Sequence, residues 1–243
     1  MDTRPLSGKS ALVTGGARRI GRAIALELAR AGADVAITYR ASQAEAAATA
    51  ADIAALGCRA LAIECDVRSE AQVKQAVASV VARFGRLDVL VNNAAIFASA
   101  PLEKITLDEW DEMFETNTRG PFLVAREALE HLRAAHGRVI NIGSLGGTKA
   151  WATHAHYSSS KAALHMLTRA MAKAFAPEVS VNCVAPGWIE LEDAAAGAKF
   201  AERTPMKRNG TVADVAEAVL FFAAGPQFIT GQVMAVDGGL GLS

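Results

Sequence analysis

Short apolar runs alternate along this chain with longer Ala- and Leu-rich stretches, and that alternation leaves few folds open. Residues 10–14, 34–38, 60–65, 88–92, 138–142, 179–184 and 233–236 are short and rich in Val, Ile and Leu. They show no strict apolar–polar alternation, as expected of strands covered on both faces. Between them, 21–31, 42–56, 70–84, 107–132, 158–175 and 212–223 carry apolar residues at three- and four-residue spacing, the period of a helix face. Gly32, Gly57, Gly85 and Gly137 stand where helix C-caps are expected. Repeated strand–helix units imply right-handed crossovers, so the expected fold is α/β. It is a doubly wound parallel sheet of about seven strands with helices on both faces.

No Pro/Ser-rich linker, charge run or internal repeat divides the sequence, so residues 1–243 are expected to form one domain. The stretch 188–208 has weak periodicity and mixed polarity, the pattern of a substrate lid after a late strand.

Composition closes off several function classes. Apolar residues make up 51% of the chain and charged residues 21%, enough for a sizeable core. The formal net charge is zero and the basic residues are scattered, which argues against a nucleic-acid surface. No run of 18 apolar residues occurs, so no membrane span is expected. The first eight residues are polar and unlike a secretion signal. Cys58, Cys65 and Cys183 are odd in number and form no CxxC, which fits a reducing, cytoplasmic setting. Cys183 lies in an apolar run and reads as a buried, inert thiol.

After the first strand comes Thr14-Gly15-Gly16-Ala17-Arg18-Arg19-Ile20-Gly21, opening a helix. Glycines here let main-chain N–H groups approach a pyrophosphate, and a helix N-terminus favours its charge. The strand before and helix after are the context a dinucleotide loop requires. A site for NAD has an acid at the end of the second strand to hold the ribose 2′-hydroxyl. This chain has Arg40 and Ser42 there instead, and a guanidinium suits a 2′-phosphate. The expected cofactor is therefore NADPH/NADP+.

Tyr157 and Lys161 are four residues apart at a helix start, on one face. A nearby ammonium favours the phenolate and eases proton exchange. Ser144 follows the strand 138–142, at a strand end where ligands bind, and its hydroxyl could donate to an oxyanion. Asn117, inside a helical stretch, could bond main chain or fix a water. Singly, Ser144 is equally a turn residue and Asn117 a packing amide.

Together these residues resemble the short-chain dehydrogenase/reductase family, essentially end to end. Thr14 to Gly21 is similar to its TGxxxGxG, Asp66-Val67 to its adenine-side pair, and Asn92-Asn93-Ala94-Ala95 to its NNAG. Asn117, Ser144, Tyr157 and Lys161 match its tetrad, and Pro186-Gly187 its PG. Thr230-Gly231-Gln232 and Asp237-Gly238-Gly239 resemble its C-terminal signature. The resemblance implies a Rossmann-type sheet and hydride transfer from NADPH to a small-molecule substrate. Tyr157 would give the proton, Ser144 would polarise the substrate oxygen, and Lys161 would hold the nicotinamide ribose and lower the Tyr157 pKa. Asn117 would anchor a water, and Ile189 would contact the nicotinamide amide. Homotetramers are common in the family, which would bury the apolar faces of 107–132 and 158–175.

Three departures bear on the substrate. Arg19 replaces the middle glycine of the loop, Ala95 the last glycine of NNAG, and Leu191 a frequent Thr after PG. TGxxxRxG resembles the pteridine reductases of the family, and Phe97 matches the aromatic that stacks on pterin there. Those enzymes carry Asp where this chain has Ser144, the carbonyl-reductase version. The leading expectation is a carbonyl reductase, with a 3-oxoacyl thioester or similar ketone as substrate. A pteridine reductase acting on dihydropterin- or dihydrofolate-like ligands and a catalytically idle NADPH-binding regulator are the alternatives. No metal is expected, since His154 and His156 have no Cys or acid beside them. His131, His136 and His165 read as helix-surface or helix-end residues, and Glu190 and Glu192 as solvated acids at the start of the lid.

Overall fold

The structure is a computed structural model, and it describes residues 4–191 and 197–242. Seven strands form one sheet: β1 (Ser10–Val13), β2 (Asp34–Tyr39), β3 (Ala60–Glu64), β4 (Val89–Asn92), β5 (Arg138–Ile142), β6 (Ser180–Pro186) and β7 (Val233–Val236). Their order is β3-β2-β1-β4-β5-β6-β7 and every pairing is parallel. The winding reverses between β1 and β4, which leaves a crevice beyond their carboxyl ends.

Alternate residues of each strand serve opposite cores. Ala11, Val13, Val89 and Val91 pack with α1 (Arg19–Arg30), α2 (Gln43–Ala55) and α8 (Val212–Ala224). Leu12 and Leu90 point the other way, to α3 (Glu70–Phe84), α5 (Gly120–Ala134) and α6 (Ala155–Phe175). A sheet buried on both sides explains the continuous apolar runs.

Local signals set the helix ends. Ser69 caps α3 by accepting from Gln72 N, and Gly85 closes it at φ +81°. Thr106 and Glu109 form a capping box for α4 (Leu107–Phe114), and Thr211 and Asp214 another for α8. Gly137 does not take the left-handed cap expected of it; His136 does, at φ +48°. Gly137 is demanded by space instead, since a Cβ there would lie 2.6 Å from the Asp88 carbonyl oxygen.

The helix expected over 107–132 is interrupted. Residues Glu115–Arg119 form a π-helical turn between α4 and α5, with Gly120 N bonded to Glu115 O. Pro121 explains it: proline has no N–H, so the Asn117 carbonyl lacks its α-helical donor. In the stretch 188–208 the described residues include a short helix, α7 (Gly197–Arg203), and a parallel bridge between Ile189 and Gly210. The expected lid residues 192–196, with Glu192, lie outside the described residues.

Candidate active site

The crevice at the β1/β4 switch point holds a groove of about 380 Å³. Gly15, Arg18, Arg19, Ile20 and Gly21 line one wall, with Asn93 and Ala94 from the end of β4 opposite. Arg40 and Ser42 after β2, and Asp66 and Val67 after β3, line its far end. Tyr39, Ile96, Thr116 and Leu191 also line it and had no sequence signal as ligand groups.

Thr14 ties the two walls together. Its hydroxyl accepts from Asn93 N and Ala94 N, both at 3.0 Å, and Asn93 Nδ2 donates back to Thr14 O at 2.9 Å and Gly15 O at 3.0 Å. The glycines are needed for space. A Cβ on Gly21 would stand 2.2 Å from Gly15 O and 2.5 Å from Asn93 Nδ2. Gly15 has φ +63°, and a Cβ there would meet the Ala94 Cα at 3.0 Å. Arg19, in place of a glycine, takes φ +53° at the start of α1.

Four charges gather at the far end of the groove. Arg68 grips the Asp66 carboxylate through Nε and Nη2, at 3.0 and 2.6 Å, and reaches Glu112 at 2.9 Å. That guanidinium holds the Asp66 carboxyl below the usual range. Arg40 is half exposed and 3.8 Å from the same Glu112 carboxylate. Arg68 and Glu112 were missed in the sequence, because only the fold brings α4 beside the end of β2.

The tetrad residues converge at the carboxyl end of β5. Ser144 is buried in the turn after β5 and hydrogen-bonds Tyr157, and its Oγ also accepts from Gly146 N at 3.0 Å. Lys161 lies one turn after Tyr157 on α6, buried, with Nζ 2.8 Å from Ile142 O and 5.9 Å from the Tyr157 ring centroid. Burial pulls its pKa down to about 8. Burial also raises the Tyr157 pKa, and only the Ser144 hydrogen bond opposes it, in part. Lys161 gives one N–H to the Ile142 carbonyl, which leaves two donors of the ammonium for other partners.

Asn117 sits in the π-turn, fully buried, with its side chain committed to protein. Oδ1 accepts from Ile96 N at 2.9 Å, and Nδ2 donates to Ile96 O at 3.0 Å and Ser160 Oγ at 3.1 Å. It clamps the loop after β4, which leads to Phe97, against α6. A water anchored by Asn117 would have to use its main-chain carbonyl, which Pro121 leaves without an α-helical donor.

Aromatic groups surround the Tyr157 ring. Phe97, 60% exposed, packs edge-on to Tyr157 at 4.8 Å and stacks on His154 at 4.8 Å. Trp151 lies parallel to Tyr157 at 6.2 Å. Pro186, Gly187 and Ile189 continue β6 beyond the groove and do not line it. His156 is buried beside Tyr157. His165 is buried too, not on the helix surface as the sequence suggested. Cys183 is buried and its thiol is pushed up to about 12, in keeping with an inert group. Among the described residues no three His, Cys, Asp or Glu side chains gather as a metal site requires, and no helix is long and apolar enough to cross a membrane.

Comparison with known proteins gives the class and then the family. The family model described as Enoyl-(Acyl carrier protein) reductase matches residues 15–241. Versicolorin reductase 1 of Dothistroma septosporum is 37% identical, over 98% of this chain and 98% of its own. The 3-oxoacyl-[acyl-carrier-protein] reductase FabG of Staphylococcus epidermidis is 38% identical, over 96% of this chain and 98% of its own. A crystal structure of a gluconate 5-dehydrogenase from Burkholderia cenocepacia, in complex with NADP and tartrate, superposes with a TM-score of 0.92 at 37% identity. That likeness covers all of this chain and 98% of the other. Two of these are reductases and the third is a dehydrogenase. The chain belongs to the short-chain dehydrogenase/reductase family.

Proposed function

We propose that this enzyme is an NADPH-dependent carbonyl reductase, acting on a 3-oxoacyl thioester or a similar ketone with Tyr157 as the proton donor. The convergence of Ser144, Tyr157 and Lys161 at one strand end, in a fold whose switch-point crevice holds a glycine-lined groove, carries this reading. The residues fit the cofactor. Gly15 and Gly21 let the loop pack tightly on itself and on Asn93 and Ala94 along the groove wall, and Arg40 offers a guanidinium where a 2′-phosphate would lie. The NADP bound by the Burkholderia neighbour and the activity named for the Staphylococcus relative support it.

When bound, the nicotinamide supplies hydride to the carbonyl carbon. The chain's own residues deal with the oxygen. As charge develops there, the Ser144 hydroxyl donates a hydrogen bond to it and the Tyr157 O–H gives up its proton. A buried phenol whose pKa is raised holds that proton until the oxygen becomes basic enough to take it. Lys161, on the same helix face, would hold the cofactor ribose and steady the phenolate left behind. Asn117 fixes the Ile96 backbone at the groove wall, and Ile189, beyond the groove's lining, would offer its main chain to the carboxamide.

The single-domain layout with a lid at 188–208, a cytoplasmic setting and a homotetramer belong to the same reading. Exposed Phe122 and Met166 on α5 and α6 are the surfaces that such an assembly would cover. A pterin substrate is the second reading, favoured by the exposed Phe97 against Tyr157 and by Arg19 at the groove. Consumption of NADPH with acetoacetyl thioester and with dihydrobiopterin, side by side, tests both. Turnover of the thioester supports the carbonyl reading, and turnover of the pterin alone replaces it. Tight NADPH binding with no turnover of either, or of a ketone panel, would make the protein an idle regulator.

A further inference from the structure

We infer that His165 is a positioning residue for Ser144: its imidazole accepts the Ser144 main-chain N–H and serves as the form around which the catalytic turn is folded. The inference rests on the reading of Ser144 as the group that holds the substrate oxygen.

Spacing alone puts His165 beneath the site. It follows Tyr157 and Lys161 at successive four-residue steps of α6, so the three share one face. The turn after β5 wraps its ring. A Cβ on Gly143 would lie 2.4 Å from His165 Nε2, and one on Gly147 would lie 2.5 Å from Cε1. Both glycines are therefore where they must be for the ring to fit, Gly143 just before Ser144 and Gly147 three residues after it.

Ser144 is held at three atoms. Its N–H points to His165 Nε2 at a long 3.5 Å, its carbonyl accepts from Gly147 N at 2.9 Å, and its Oγ accepts from Gly146 N at 3.0 Å. Two of these contacts are internal to the turn. The imidazole joins the main chain of the turn to α6, the helix that carries Tyr157, while the Ser144 hydroxyl reaches the same helix at Tyr157 itself.

An imidazole that accepts at Nε2 must be neutral, with its proton on Nδ1. The surroundings enforce neutrality. Lys161 and Arg169 on α6 are both cationic, Cys183 of β6 is an un-ionised thiol, and the site is buried. Burial first, then Lys161 and Arg169, lower the His165 pKa to about 4. At neutral pH the ring keeps its lone pair for Ser144.

The test compares wild type, His165→Leu, His165→Gln and Ser144→Ala for kcat, NADPH affinity and Tm, with the ketone substrate saturating. Leu removes the acceptor; Gln returns an amide oxygen near the position of Nε2. Expected is a loss in kcat of about tenfold for His165→Leu, NADPH affinity within twofold of wild type, and recovery of most of kcat in His165→Gln. An acid limb of kcat near pH 4 in wild type should be missing from His165→Gln. Nitrogen NMR of the imidazole should show the Nδ1–H tautomer at neutral pH, whether or not a substrate is in hand. An Nε2–H tautomer or an imidazolium would overturn the proposal. So would an unchanged kcat in His165→Leu, or equal losses of kcat in Leu and Gln variants of equal Tm. If Ser144→Ala keeps wild-type turnover, the Ser144 reading falls and this proposal with it. If Ser144→Ala is inactive and His165→Leu is not impaired, only the His165 proposal falls.

Discussion

Lys161 Nζ donates a 2.8 Å hydrogen bond to the main-chain carbonyl of Ile142, in a position only 3% exposed. This bond turns the ammonium toward the end of β5, with the Tyr157 ring centroid 5.9 Å away. It also leaves a cation buried on one carbonyl, with burial lowering its pKa from 10.5 to about 8.

The cost of that charge is measurable. Because the folded pKa lies below the unfolded one, the unfolded chain binds the proton more readily between about pH 8 and 10.5. Lys161 therefore destabilises the fold fully below about pH 8, and the penalty fades as pH rises toward 10.5. Lys161→Met is expected to be more stable than wild type at pH 7 by on the order of 1–3 kcal/mol, and inactive. Denaturant unfolding at several pH values checks this, with the gap between the two proteins closing at alkaline pH.

At the far end of the groove, Arg40 faces Glu112 across 3.8 Å. Arg40→Ala should weaken NADPH about 10–100-fold and leave NADH nearly unchanged. Glu112→Gln should act in the opposite sense, tightening NADPH by a few fold at low salt, since a half-exposed pair is worth little. Fluorescence titration with both cofactors reads both effects; equal losses for NADH and NADPH would remove Arg40 from the 2′-phosphate site.

Two substitutions in the phosphate loop should move in opposite directions. Gly21→Ala places a methyl 2.2 Å from Gly15 O, and backbone cannot yield cheaply, so a loss of about 1–3 kcal/mol and of cofactor binding is expected. Arg19→Gly relieves a left-handed backbone at φ +53° and should raise stability by about 0.5–1 kcal/mol. Thermal unfolding of the two variants against wild type decides both signs.

Much of this molecule is written in local sequence. The seven apolar runs became the seven strands within two residues at their ends, because a strand buried on both faces needs an unbroken apolar run. The tight turn of the glycines after β1 and the shared helix face of Tyr157 and Lys161 were legible for the same reason: their spacing acts within one turn or one helix. The π-turn at Asn117 had a signal that was overlooked, Pro121 four residues on. His165 was misread as a surface residue although it falls in register with Lys161, Leu164 and Thr168 on the buried face of α6. What could not be read is contact between distant segments. Glu112 meets Arg40 and Arg68, and Phe97 meets Tyr157, only after the sheet has ordered its loops.

The most direct measurement is NADPH oxidation by wild type and Tyr157→Phe with a 3-oxoacyl thioester, alongside NADPH affinity of each. The account predicts that the phenylalanine variant binds NADPH as wild type does and loses about 10²–10⁴-fold or more in turnover. A Tyr157→Phe enzyme that reduces the ketone at the wild-type rate would contradict it.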